Sequence, residues 1–247
     1  MTYAHWLKDF EAEAERRRQR EDPPWERGAN LHPDVARSVQ RFQVGEAGDG
    51  ANLIAKAGGG SYLAAVKLFV AEEQNHARML AELLGAAGVP TIAAHWSDTV
   101  FVRLRRALGL RLELMVLLIA EVVALRYYRA LRDGTGDPLV TQVAARILAD
   151  EERHVPFHCH RLEIGFRTLG KPLRAAVFAG WRVLLLGVAI TVAADHGPAL
   201  RRLGVGRLVF VADVLTAFEA ALARIRGEEP KPKPRYHPKR SRPRGLV

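Results

Sequence analysis

The sequence predicts an all-α fold: a four-helix bundle with an N-terminal helix before it and a C-terminal helical hairpin after it. Three observations carry that expectation. Apolar residues recur at steps of three and four along most of the 247 residues, and no segment shows a convincing period of two. Proline and glycine punctuate the chain where helices of bundle length would start and stop. In four successive helical segments a carboxylate interrupts the apolar seam where a leucine is expected.

The elements follow in order. Residues 3 to 20 read as a short charged helix, followed by a linker containing Pro23 and Pro24. Pro33 suits the first helical position, and the helix it opens is expected to reach about Ala57. Its seam is Val35, Val39, Phe42, Glu46, Asp49, Leu53 and Ala57. Ser61 is the expected cap of the next helix, with the seam Leu63, Val66, Val70, Glu73, Ala77, Leu80 and Leu84, ending by Gly85 or Gly88. A third, long helix is expected from a cap at Ser97 or Asp98, bent at Gly109 and ending at Asp133–Gly134. Its seam is Leu110, Leu114, Leu117, Glu121, Ala124, Tyr128 and Leu131. Asp137 and Pro138 open the fourth, whose seam is Val140, Val143, Ile147, Glu151, His154, His158, Leu162 and Gly165. Pro156 lies inside that helix and is expected to bend it. The domain reading is therefore residues 1–30 for helix and linker, 31–170 for the bundle, 171–226 for the hairpin and 227–247 for a tail.

Two of the seam acids carry a histidine three residues on: Glu73-Gln74-Asn75-His76 and Glu151-Glu152-Arg153-His154. Residues at i and i+3 share a helix face, so each pair can grip one ion. The other two helices offer Glu46 and Glu121. A glutamate from each of two helices plus Glu-x-x-His from each of two others is a known arrangement for a pair of iron or manganese ions in a bundle core. Electrostatics favour such ions. Four carboxylates facing one core repel, and burying even one unpaired charge costs several kcal/mol. Carboxylate and imidazole donors without a seam thiolate suit iron or manganese. The two halves also repeat in form, Ala71-Glu72-Glu73-Gln74-Asn75-His76 against Ala149-Asp150-Glu151-Glu152-Arg153-His154.

With that order of motifs, residues 34 to 165 resemble the ferritin-like superfamily of di-iron carboxylate proteins, which includes rubrerythrins and di-iron oxygenases. The resemblance implies Glu46, Glu73, His76, Glu121, Glu151 and His154 as ligands of two Fe ions, with Mn as the alternative. It also implies that Asp150 bonds the ligand His76, and that Glu72 does the same for His154. His158 stands as a further ligand, a proton relay or a hydrogen-bonded core histidine. Asp49, one turn from Glu46, stands as an extra ligand or a supporting acid, and Tyr128 as a core tyrosine or a group for radical transfer. Cys159 reads as packing.

Within the superfamily the single cysteine leaves no place for the paired Cys-x-x-Cys site of rubrerythrins. An O2-activating oxidase or oxygenase on an organic substrate is the expected function. The alternatives are a ferroxidase or iron-binding protein without organic substrate, and a tRNA-modifying di-iron hydroxylase. An oxygenase implies an external electron donor.

Charge and hydropathy bear on partners. The net charge is +10, and half of it falls in residues 227–247, a proline-broken basic tail expected to be disordered and suited to nucleic acid or a membrane surface. Residues 175 to 194 hold one charge, Arg182. On insertion scales their large apolar side chains contribute about −3 to −5 kcal/mol and a central arginine takes back about 3. That near-balance favours a hairpin packed on the bundle or on a second copy in a homodimer. With one cysteine and no secretory h-region, the chain is expected in the cytoplasm, peripheral to the membrane at most.

Overall fold

The structure, a computed structural model, describes residues 2–48, 50–96, 100, 102–103 and 109–228. Among these residues every regular element is helical. We number the α-helices α1 (Tyr3–Gln19), α2 (Pro33–Glu46), α3 (Ala51–Lys56), α4 (Gly60–Ala86), α5 (Leu110–Gly134), α6 (Pro138–Phe166), α7 (Lys171–Asp195), α8 (Gly197–Arg202) and α9 (Arg207–Ile225). The bundle is α2, α4, α5 and α6. α5 and α6 form an antiparallel hairpin, α2 packs on α4, and α4 crosses to α6.

Local chemistry sets several of the boundaries. Asp137 Oδ1 accepts the Val140 N–H at 3.0 Å, and Pro138 follows it with no donor to waste, so α6 starts sharply. α4 ends with Gly88 at φ +67° and the Val89 N–H reaching back to the Leu84 carbonyl at 2.9 Å. The four seams face one another as expected. Val39, Leu53, Val66, Leu80, Leu114, Leu131, Val140, Val143, Ile147 and Leu162 are all buried, as is the Tyr128 ring.

Four expectations need correction. The helix from Pro33 does not run to Ala57: α2 stops at Glu46 and the chain turns before α3 begins at Ala51. Gly50 takes a left-handed φ of +61°, and a Cβ there would strike the Val70 side chain, so the backbone is pressed against α4 where a longer residue cannot go. α4 begins one residue before Ser61, with Gly59 in the cap position. The third helix is not bent at Gly109 but begins after it. Gly109 is extended (ψ 173°), which is incompatible with a continuous helix, and the expected caps Ser97 and Asp98 lie outside the described residues. Finally, the C-terminal segment is not a simple hairpin, because α8 intervenes between α7 and α9. Asp49 and residues 229–247 of the basic tail also lie outside the described residues.

Around the bundle, α1 lies along α4, and α9 packs on α6, α7 and α5. The inner face of α7 buries Phe178, Trp181, Leu185 and Ala189, and the Trp181 indole N–H donates to the Met115 carbonyl at 3.1 Å. Its outer face leaves Val183 and Ile190 more than half exposed. By length and composition α7 is the one helix among the described residues apolar enough to cross a membrane.

Candidate metal centre

Six side chains converge at mid-height in the bundle. Glu46, Glu73, His76 and Glu151 each offer a ligand atom, and these atoms lie within 4.8 Å of one another. Glu73, Glu121, Glu151 and His154 form a second such group. Glu73 and Glu151 belong to both. His76 Nδ1 is 3.5 Å from Glu73 Oε1 and 3.5 Å from Glu151 Oε1. His154 Nδ1 is 3.2 Å from Glu73 Oε1 and 3.5 Å from Glu121 Oε2. The cause is periodicity: each Glu-x-x-His places its acid and its imidazole on one helix face, and α4 and α6 present those faces to each other.

Behind the histidines stands a second set of carboxylates. His76 Nε2 bonds Asp150 Oδ2 at 3.0 Å, and His154 Nε2 bonds Glu72 Oε2 at 2.8 Å. Both imidazoles thus spend Nε2 on an outer acid and turn Nδ1 inward. Glu72, on sequence grounds equally readable as a solvated surface acid, is only 1% exposed.

Electrostatics then decide what the cluster is fit to hold. Burial, and after it the charge of Glu73, push the Glu46 carboxyl well above the ordinary carboxylate range. Burial and the neighbouring Glu121 do the same to Glu151. For Glu121 burial also pushes upward, but the close approach of Glu151, His154 and His158 outweighs it and holds this carboxyl well below its usual value. His154 is held well above the usual imidazole range, because Glu121, Glu151, Glu72 and Glu73 overcome the burial that disfavours its charge. The metal-free cluster therefore remains tolerable by holding protons, and cations would displace them. The orphaned atoms mark where. Glu73 Oε1, His76 Nδ1, Glu121 Oε2, Glu151 Oε2 and His154 Nδ1 are buried and have no hydrogen-bond partner. Buried polar atoms are normally satisfied, and these five point at one another in a donor set that suits iron or manganese. The residues fit a pair of divalent ions.

The remaining candidates fall at different distances from the cluster. The Tyr128 hydroxyl donates to Glu46 Oε1 at 2.6 Å, and burial and the Glu46 charge raise its pKa well above the usual phenol value. His158 is not the hydrogen-bonded core histidine that one reading expected. Its Nε2 stops 3.6 Å from Glu121 Oε1, and neither ring nitrogen makes a hydrogen bond. Cys159 is buried, its thiol pushed up to about 12 by burial, consistent with packing.

Sequence reasoning missed two arginines. Arg17 donates to Glu72 Oε1 at 2.7 Å. Arg153 donates to Glu72 Oε2 at 2.7 Å and to Asp150 Oδ1 at 2.9 Å. The second was available, since Asp150 and Arg153 stand at i and i+3; nothing local signals the first.

Fold and site together define a ferritin-like bundle protein of the di-iron carboxylate class. A family model described as "P-aminobenzoate N-oxygenase AurF" matches residues 63–203, more than half of the chain. The chain belongs to the AurF family, and it is an O2-activating di-iron oxygenase acting on an organic substrate. That membership selects the oxygenase reading over iron storage and tRNA hydroxylation. The match includes five of the six clustered residues; Glu46 precedes it. No curated protein matches the chain closely enough to count as a relative.

Proposed function

We propose that the chain oxygenates the nitrogen of an amine-bearing substrate, with Glu46, Glu73, His76, Glu121, Glu151 and His154 as ligands of the two ions. The observation that carries this is the shared pair, Glu73 and Glu151, standing between two histidine-bearing half-sites in a chain of the AurF family. In this reading His76 and Glu46 would hold one ion and His154 and Glu121 the other, with Glu73 and Glu151 within reach of both. Such ions would supply the redox chemistry toward O2, their electrons replenished by the external reductant.

The chain's own residues set the conditions. Asp150 and Glu72 fix the histidine rings so that Nδ1 faces inward. Tyr128 donates to Glu46 and keeps one of its oxygens committed. Phe69 meets His154 and His158 edge-on, each at 4.7 Å between centroids, and closes that side to water. Among the six, Glu73 has the only side chain with appreciable exposure, 20%, so O2 and substrate approach past it. The overall reaction inserts one oxygen atom of O2 into an N–H bond and releases the other as water. Two electrons and two protons come from an external reductant.

The iron-loaded protein with p-aminobenzoate or a related arylamine, O2 and a reductant should yield a hydroxylamine. Its added oxygen should be labelled when isotopically heavy O2 is supplied. Consumption of O2 with no oxygenated nitrogen, across a panel of arylamines, would count against the nitrogen as the target.

We also propose that α7 pairs with a second copy. Val183, Leu186 and Ile190 form an uncharged exposed face, too apolar to be left to water without consequence. Lipid fits it less well. The ion pair Arg182–Glu219 (2.6 Å) ties α7 itself to α9, Arg126–Asp213 (2.7 Å) ties α5 to α9, and insertion of α7 would bring them toward hydrocarbon. Sedimentation should find a dimer that Val183→Glu with Ile190→Glu converts to monomer. A wild-type monomer at tens of micromolar (roughly the range where a standard-sized interface already associates) would refute the pairing.

A further inference from the structure

α1 lies outside the residues matched by the family model, yet it reaches the metal centre. Two contacts anchor it. The Trp6 indole N–H donates to His160 Nδ1 at 3.1 Å. Phe10, fully buried, meets the Phe157 ring edge-on at 5.1 Å and lies stacked 6.2 Å from the His154 ring. Two helical turns beyond Phe10, Arg17 points at the acids that hold the histidines. Its Nη2 is 2.7 Å from Glu72 Oε1 and 3.8 Å from Asp150 Oδ2.

The distances make the contact asymmetric. Glu72 takes a close hydrogen bond from Arg17 on one oxygen, and His154 and Arg153 on the other. Asp150 is tied to His76 and Arg153, with Arg17 only at the edge of ion-pair range. A carboxylate as buried as Glu72 needs its charge neutralised and its lone pairs filled. With Arg17 gone, Oε1 keeps no hydrogen bond among the described residues, and Arg153 is left as the arginine closest to both acids. Glu72 then gains by swinging outward toward solvent or toward Arg153, and in doing so releases the His154 ring.

We propose that Arg17 is a positioning residue for the metal centre: from the N-terminal helix it holds Glu72, and through Glu72 it holds His154 and the ion that His154 binds. The proposal rests on the reading of the six clustered residues as ligands. Its signature is selectivity, since the ion on the His76 side depends on Asp150, which Arg17 barely touches.

The test is an anaerobic Fe(II) titration of wild type, Arg17→Ala and Arg17→Lys, repeated with Co(II) to read each site's optical bands, with circular dichroism as the fold control. Wild type should bind two ions. Arg17→Ala should bind one of them about 10–100-fold more weakly, as loss of an outer hydrogen-bonding partner commonly does, and the other nearly unchanged. Arg17→Lys should recover most of the loss. If Arg17→Ala does not fold, Arg17→Gln against Arg17→Lys carries the same comparison, with the weakened ion expected only in the glutamine variant. Equal weakening of both ions, or wild-type affinity for both in Ala or Gln, overturns the proposal and leaves the ligand reading standing. A folded wild type that takes up no ion removes both.

Discussion

Glu73→Ala and Glu151→Ala should each abolish stoichiometric metal binding. These two acids are common to both half-sites, so removing either takes an oxygen donor from each ion at once. It also leaves His76 Nδ1 and His154 Nδ1 facing a vacant corner, since Glu73 Oε1 lies 3.5 and 3.2 Å from them. A peripheral acid is a different case. Glu46 belongs to one group and Glu121 to the other, so Glu46→Ala or Glu121→Ala should lower occupancy mainly at one position. Metal analysis after anaerobic Fe(II) loading checks the contrast. Two irons per chain retained in both Glu73→Ala and Glu151→Ala would defeat the assignment. The expected effect is large for a physical reason. Metal affinity at such a site is the surplus of ligand bonds over the repulsion and desolvation of the acids that supply them, and losing an acid common to both groups would take a donor from each.

Much of this centre was legible in the sequence, because its principal signal is a violation of a regular pattern. An acid in a leucine's place is costly, and four of them in four consecutive seams share one explanation. The pairing of Asp150 with His76 and of Glu72 with His154 was what the resemblance to the ferritin-like superfamily implied, and the structure shows both hydrogen bonds. What escaped was non-local or depended on backbone detail. Arg17 reaches Glu72 across 55 positions, and a charged N-terminal helix has many arginines that read alike. The interruption between α2 and α3 depends on Gly50 being pressed against Val70, a contact that no periodicity reveals. Glycine at Gly109 gave the right place but the wrong meaning: a bend and a helix start share the same residue. The C-terminal segment read as one hairpin because a six-residue helix, Gly197–Arg202 with Pro198 in its first turn, is too short to show a period.

A second group of buried polar residues should make its own mark on stability. His196 is 7% exposed, with Nδ1 2.7 Å from Ser38 Oγ, which in turn lies 2.9 Å from the Tyr127 hydroxyl. The charged groups around it are Asp195, 3.6 Å from Nε2, Arg41, paired to Asp195 at 2.9 Å, and His95, 3.9 Å from the same carboxylate. Burial lowers the His196 pKa to about 4. Asp195 pulls it upward, Arg41 and His95 pull it down, and burial prevails. The folded state therefore prefers the neutral imidazole, while the unfolded chain binds a proton near pH 6.5. Between those two values the unfolded state holds more protons, so stability is fully present above about pH 6.5 and drains away as pH falls towards 4. The span corresponds to roughly 3 kcal/mol, a substantial part of a typical domain's stability. Carboxylates also titrate in this range, so the informative quantity is a difference. Urea unfolding of wild type and His196→Gln, followed across that range, should give curves that converge with acid: the variant is the less stable near neutrality and loses less on acidification. Parallel curves would mean that the folded protein protonates His196 as readily as the unfolded chain does, with Asp195 offsetting burial.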